Sequence, residues 1–104
     1  MILYNVTIKL ETSVHEDWLA WMKTKHIQDV IDTGCFVSCR LSRLLAQNEG
    51  DGLTYSIQYL SPSMKDFHRY QAHFAQALQK EHTQKFAEKF VAFRTMMELV
   101  EEFG

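Results

Sequence analysis

The order of the predicted elements indicates an α+β fold of the ferredoxin-like βαββαβ type, in which a four-stranded antiparallel sheet carries two helices on one face. Two observations predict it. Apolar and polar residues alternate in four segments, and two further segments repeat their apolar residues with the period of a helix. The 104 residues suit one domain covering 1–104, and the expected spatial order of the strands is 4-1-3-2.

The first strand is predicted over residues 2–10, because every second residue is apolar. We expect the apolar row to lie beneath the helices and the other row, with Asn5, to face away from them. The apolar row consists of Ile2, Tyr4, Val6, Ile8 and Leu10.

The first helix is predicted to begin at Ser13-Val14-His15-Glu16, which has the residue types of a capping box, and to continue to about Asp32. Thr33-Gly34 then ends it, because glycine suits the left-handed position after a helix. One broad side of this helix is apolar and includes a histidine: Val14, Trp18, Leu19, Trp21, Met22, His26 and Val30.

A β-hairpin is predicted next, from two alternating segments, Cys35 to Leu45 and Leu53 to Tyr59. The link Asn48-Glu49-Gly50-Asp51-Gly52 has the composition of a turn. The alternation assigns the following side chains to the face away from the helices: Phe36, Ser38, Arg40, Ser42, Thr54, Ser56 and Gln58.

Ser61-Pro62 is predicted to open the second helix, with serine as the cap and proline in the first helical position. An unbroken helix up to the last strand would be longer than the sheet, so we expect a break near Lys80-Glu81 and a short helix from His82 to Glu88. The apolar side consists of Met64, Phe67, Phe74, Ala75, Leu78, His82 and Phe86.

The last strand is predicted from about Phe90 to Val100. As in the other strands, one row of alternate residues is taken as the apolar row. We expect one row beneath the helices, namely Val91, Phe93, Thr95, Met97 and Leu99. We expect the other row on the opposite face, namely Ala92, Arg94, Met96 and Glu98.

Charge and composition narrow the functional class. Eleven basic and thirteen acidic side chains give a net charge of −2, which argues against a general nucleic-acid binder. The sequence shows no basic leader with a cleavage site and no apolar segment long enough to cross a bilayer. We therefore expect a cytoplasmic protein that binds neither nucleic acid nor membrane, with Cys35 and Cys39 as free thiols.

The sheet face away from the helices has three interpretations: a solvated face, the contact surface of a homodimer that encloses a barrel-like space, or a nucleic-acid surface. The homodimer is favoured because Phe36, Met96 and Leu60 would otherwise be exposed to water. Nucleic-acid binding is disfavoured because the central strands offer no aromatic side chain there for stacking on bases.

Candidate ligand-binding residues lie on this same face: Asn5, Arg40, Gln58 and Arg94. Arg40 and Arg94 are expected to project from the two edge strands, and a converging pair of guanidinium groups could hold a carboxylate or phosphate. The alternative is that these arginines pair with Glu98 or with solvent. If the two guanidinium groups do converge, the ligand class that they imply is a small anionic molecule.

Signals for catalysis are weak. The sequence has no nucleophile elbow, phosphate-binding glycine loop, dinucleotide fingerprint or CxxC motif, and no histidine pair has the spacing of a metal site. It therefore predicts no cofactor and no metal. His26 and His82 lie within the apolar helix sides, where a histidine is more typical of a hydrogen-bonded core residue than of a catalyst.

Five segments together resemble a family of small bacterial proteins known as a domain of unknown function: Tyr4-Asn5-Val6-Thr7, Trp18 to Met22 with His26-Ile27, Thr33-Gly34-Cys35-Phe36, Thr54 to Tyr59, and Phe90 to Thr95. The resemblance covers nearly the whole chain. It implies a ferredoxin-like fold and brings no established activity.

The order of elements is also similar to that of the dimeric α+β barrel superfamily, which includes haem-degrading and antibiotic-biosynthesis monooxygenases. In the haem-degrading branch, an asparagine of the first strand and a tryptophan and histidine of the second helix region line the pocket. This resemblance implies comparable places for Asn5 and His82 as catalytic candidates. Tyr70 is the aromatic residue nearest to the tryptophan position, since Trp18 and Trp21 lie on the first helix.

The sequence thus favours a homodimeric ligand-binding or interaction domain. The alternative is a dimeric α+β barrel monooxygenase, either cofactor-independent or haem-using.

Overall fold

The computed structural model describes residues 1–45 and 52–104. Its four strands are β1 (Ile2–Glu11), β2 (Ser38–Arg43), β3 (Gly52–Ser61) and β4 (Phe90–Glu98), all paired antiparallel in the order β2-β3-β1-β4. This is the predicted order seen from the other edge, so the ferredoxin-like α+β fold is confirmed. Of the turn predicted over residues 48–52, residues 48–51 lie outside the described residues, and Gly52 begins β3.

The core lies between the sheet and the helices, as the alternation in β1 predicts. The alternate residues of β1 that form the predicted apolar row, from Ile2 to Leu10, are all buried, and so are Tyr55, Ile57 and Tyr59 of β3. An aromatic cluster centres on Tyr4, whose ring centroid lies 5.1 Å from that of Phe67 and 6.0 Å from that of Tyr70. The other face of the sheet is called the open face below.

The first helical region has more parts than the sequence predicts. A 3₁₀ turn (Thr12–Val14) leads into α1 (His15–Trp21), then a π-helical segment (Met22–His26), then α2 (Ile27–Ile31). The predicted capping box is wrong: Ser13 lies inside the 3₁₀ turn, and Val14 precedes α1 without a capping side chain. Gly34 does adopt the predicted left-handed conformation, at a φ of 78°.

The second helical region begins and breaks at other places than predicted. Ser63 rather than Ser61 caps α3 (Met64–His73), its hydroxyl accepting from the Asp66 amide at 3.1 Å. The break before α4 (Ala75–Lys85) lies at Phe74 rather than at Lys80-Glu81. Tyr70 and Ala75 are both buried; in one continuous helix they would point about 140° apart, so the break lets both face the core. The longest described helix, α4, has 11 residues, and none of the described helices could span a membrane.

Phe36 belongs to the core rather than to the open face. It precedes β2, which begins only at Ser38, so the alternation of that strand does not govern it. Its side chain is buried, and its ring centroid lies 4.8 Å from that of Tyr70 and 5.2 Å from that of Tyr59. The alternation from Cys35 to Leu45 puts Val37 in the apolar row predicted to lie beneath the helices, but Val37 is exposed instead.

The two rows of β4 are the reverse of the prediction. Directly paired residues share a face of an antiparallel sheet, and Val6 pairs with Arg94 while Tyr4 pairs with Met96. Arg94 therefore lies on the helix side, and Phe93 is on the open face. Because a shift of one residue exchanges the rows, a strand with apolar residues in both rows does not fix its own orientation.

Candidate functional site

Three of the four predicted ligand-binding residues form one row on the open face. Gln58 pairs with Asn5 on one side and with Arg40 on the other. The Asn5 amide is already engaged: its oxygen accepts from the Ser56 hydroxyl at 2.6 Å, and its nitrogen donates to the Thr7 hydroxyl at 3.1 Å. The placement of these three residues is confirmed, whereas their binding role stays a prediction.

A shallow cavity of about 180 Å³ adjoins one end of this row. Arg40 and Gln58 line it together with side chains of the chain terminus, Leu99 and Glu102. Arg94 is not part of it, because the sheet separates the two arginines. The predicted guanidinium pair therefore does not form within one protomer.

Arg94 instead lies at a second cavity, between the sheet and the helices. An outer groove of about 420 Å³ adjoins an inner cavity of about 30 Å³, which has room for about one or two water molecules. The two spaces share four lining residues, one from each of four elements: Tyr4, Tyr70, Gln79 and Arg94. We call the two spaces together the helix–sheet cavity.

Arg94 is the only permanent charge on the wall of the helix–sheet cavity within the described residues. It is exposed, and no carboxylate in 1–45 or 52–104 forms an ion pair with it. Burial raises the pKa of Tyr4, and the charge of Arg94 opposes that shift together with hydrogen bonding from Arg94 and Gln79. Burial also raises the pKa of Tyr70. Both phenols are therefore protonated near neutral pH.

His26 reaches the inner cavity from the π-helical segment. Such segments are rare and are frequent at functional sites, because the extra residue changes which side chains face inward. Met22 and His26, the two ends of the segment, both line the inner cavity. His26 is 9% exposed, and its Nδ1 atom is buried without a hydrogen-bond partner in the described structure. Burial lowers the pKa of His26, so the ring is neutral.

His82 lines the same inner cavity but is fully engaged at one nitrogen. Its Nε2 lies 2.9 Å from Nε1 of Trp18, and since indole nitrogen only donates, Nε2 must accept. Burial lowers the pKa of His82 to about 4, and the charge of Arg94, with that of His26 whenever His26 is protonated, acts in the same direction. The neutral ring therefore carries its proton on Nδ1. Asn5 and His82, paired as catalytic candidates, lie on opposite faces of the sheet.

Sequence reasoning missed Gln79 as a site residue, and it named Tyr70 only through the resemblance to the haem-degrading branch. Tyr70 lies three residues after Phe67, a spacing that places both on one helix face, so the helical period could have found it. Gln79 carries no such signal. The inverted rows of β4 concealed the placement of Arg94 beside them.

A family model described as "Domain of unknown function (DUF4286)" matches residues 1–100. The chain belongs to this family. The match confirms the resemblance to a family of unknown function that the sequence predicts. A search of curated proteins found none that matches it.

Solved structures share the fold of the DUF4286 chain over nearly its whole length. A dimeric ferredoxin-like protein from an uncultured marine organism is 14% identical, with a TM-score of 0.71 over 99% of this chain and 98% of its own. HapK from Hahella chejuensis is 12% identical, with a TM-score of 0.70 over 100% and 98%. The heme-degrader MhuD from Mycobacterium tuberculosis, with two hemes bound in its active site, is 13% identical, with a TM-score of 0.71 over 100% of both chains. These likenesses show that the chain has the ferredoxin-like fold.

Proposed function

We propose that this chain is a homodimeric, cytoplasmic ligand-binding protein that holds a small anionic molecule in the helix–sheet cavity. One observation carries the proposal: the inner cavity is lined both by His26, whose Nδ1 is buried without a hydrogen-bond partner in the described structure, and by Arg94, which has no carboxylate partner among the described residues. Buried polar atoms are nearly always hydrogen-bonded in native proteins. A ligand at this place would supply partners to both groups.

The open face supports the homodimer. Val91, Phe93 and Met97 share that face of β4 and are 53%, 67% and 38% exposed. Adjacent apolar side chains on an exposed sheet face are typical of a contact surface. A second copy of this chain is the occupant we propose, because the first solved structure compared above is described as dimeric and presents the same fold.

The row of Arg40, Gln58 and Asn5 would then lie within or beside the dimer contact. We assign the anion to Arg94 rather than to this row for two reasons. The Asn5 amide is engaged by its neighbours, and Glu102 lies on the wall beside Arg40, where its charge would repel an anion.

Matched arginine variants test where a ligand binds. The probes are benzoate, acetate, inorganic phosphate and the neutral benzamide, titrated into isotope-labelled protein and followed by NMR. We expect shifts at His26, Tyr70 and Gln79, weakened for anions in Arg94→Gln and retained in Arg40→Gln. Shifts confined to the Arg40 row, or their loss in Arg40→Gln alone, would move the site to the open face. No binding of any probe would contradict the proposed function.

The homodimer has its own test. Light scattering at micromolar concentration should report twice the chain mass for the wild type and the chain mass for Phe93→Glu, because a carboxylate cannot be buried unpaired in an apolar contact. Met64→Glu is the matched control, since Met64 is an exposed apolar residue of α3 on the other side of the sheet. A monomeric wild type contradicts the proposal.

A monooxygenase is the second candidate, favoured by the full-length likeness to a heme-degrader and by His82 in the cavity wall. The residues present do not fit haem itself. Nε2 of His82 is occupied by the Trp18 indole, Nδ1 carries the proton, and Asn5 lies behind the sheet. The cofactor-independent form is therefore the one we retain. Titration with haem distinguishes the two, since a Soret band that stays that of free haem excludes the haem form.

A further inference from the structure

The chemistry of the cavity wall defines a narrower ligand class than its charge alone. We infer that the helix–sheet cavity takes a small aromatic carboxylic acid, with its carboxylate on Arg94, its ring against Tyr4 and Tyr70, and a polar substituent at the far end on Nδ1 of His26. This inference rests on the proposed function, because it requires the cavity to be a ligand site.

The carboxylate end follows from the charges. Arg94 is the single permanent charge on the wall among the described residues, and no aspartate or glutamate from 1–45 or 52–104 lines either space. The planar guanidinium presents paired donors that match the two oxygens of a carboxylate. Gln76 and Gln79 flank the groove and add neutral donors.

The aromatic body follows from the groove wall. Tyr4, Phe67 and Tyr70 line the groove and already contact one another, with ring centroids 5.1 to 6.4 Å apart. A planar ring extends such a cluster in the tilted or offset arrangements that aromatic pairs prefer. The groove of about 420 Å³ lies within the range of about 300–1,000 Å³ that small-molecule pockets occupy.

The polar substituent follows from His26. His26 lines the inner cavity, and its Nδ1 is buried without a partner in the described structure. Apart from His26, Tyr59 and His82, the side chains that line only this inner space are apolar: Val6, Ile8, Met22, Ile57, Phe90 and Ala92. The inner space is too small for a ring and large enough for a hydroxyl or one water molecule. A hydroxyl opposite the carboxylate would therefore give His26 its missing hydrogen bond.

The probes that test this inference are 4-hydroxybenzoate, benzoate, 4-hydroxybenzamide and octanoate, titrated by calorimetry at pH 7. We expect 4-hydroxybenzoate to bind about tenfold more tightly than its amide, because only the acid forms a charge-assisted bond with the arginine. Arg94→Gln should remove that preference. Arg43→Gln is the matched control, since Arg43 is exposed on the opposite edge strand and should leave it unchanged.

A second variant pair tests the inner end. His26→Leu should lower the affinity for 4-hydroxybenzoate to that for benzoate, whereas His26→Asn, which keeps a polar atom near the place of Nδ1, should retain part of the difference. Near-ultraviolet circular dichroism identifies any variant that fails to fold. Because Arg94 is exposed, Arg94→Gln should fold and keeps the inference testable.

The outcomes separate this inference from the proposed function. Equal binding of acid and amide, an acid preference that survives in Arg94→Gln, or tighter binding of octanoate than of 4-hydroxybenzoate would overturn the ligand class while leaving a functional cavity. Binding of none of the four probes, together with no response to the earlier panel, would overturn the proposed function itself.

Discussion

Removing the buried imidazole of His82 should flatten the pH dependence of stability. The ring is 5% exposed and neutral in the folded protein, and its pKa is lowered from 6.5 to about 4. As the pH falls, the unfolded chain takes up a proton near pH 6.5 and the folded chain does not. The stabilisation is therefore present above pH 6.5 and is lost as the pH falls towards 4.

The magnitude follows from the size of the shift. At 1.36 kcal/mol per pKa unit, the full loss is about 3 kcal/mol, of which about 2 kcal/mol falls between pH 7 and pH 5. This interval lies above the range in which ordinary carboxylates titrate. Burial lowers the pKa of His26 as well, so His26 contributes with the same sign.

Urea unfolding at pH 7 and pH 5 measures the effect. The wild type should lose about 2 kcal/mol more unfolding free energy over this interval than His82→Gln, whose amide oxygen can still accept from Trp18. His68→Gln is the control, because His68 is exposed on α3. Equal pH dependence in the wild type and His82→Gln would refute the assignment of His82 as a neutral acceptor.

The remaining predictions concern single substitutions, all measured by urea unfolding at pH 7. Ser63→Ala should lower the unfolding free energy by about 1 kcal/mol, because it removes the cap of α3, whereas Ser13→Ala should have almost no effect. A loss in Ser13→Ala and none in Ser63→Ala would instead support the capping box predicted at Ser13. Gly34→Ala should lower the unfolding free energy by about 1 kcal/mol. The cost comes from the φ of 78° alone, because an added Cβ would have no atom of the described residues within 4 Å. An unchanged unfolding free energy would contradict that backbone geometry. Trp18→Phe should cost about 2–4 kcal/mol, because it removes volume from a fully buried site and leaves a nitrogen of His82 without its donor; a cost below 1 kcal/mol would argue against that bond.

The parts of the fold that could be predicted are those where one physical signal dominates. β1 lies in the centre of the sheet, so its alternation is strict and its buried row is unambiguous. Asn5 and Gln58 inherit their correct face from the two central strands, and Arg40 inherits its face from the alternation of the edge strand β2. The left-handed glycine after α2 is equally local, since only the backbone conformation matters there.

The failures arise where two surfaces compete for the same strand. β4 is an edge strand with Phe93 on the open face and Arg94 on the helix side, at a groove. The rule that the more apolar row faces the helices therefore places both of its rows on the wrong face. The end of α3 is another such case, because the break at Phe74 depends on which residues the sheet must cover. Tertiary packing, rather than local preference, decides both.

A crystal structure of the chain with 4-hydroxybenzoate would show whether the helix–sheet cavity is the ligand site. We expect density for the probe under α3 and α4, with its carboxylate on Arg94 and its hydroxyl directed at His26. Density for the probe beside Arg40 on the open face, with the space under the helices closed, would contradict it.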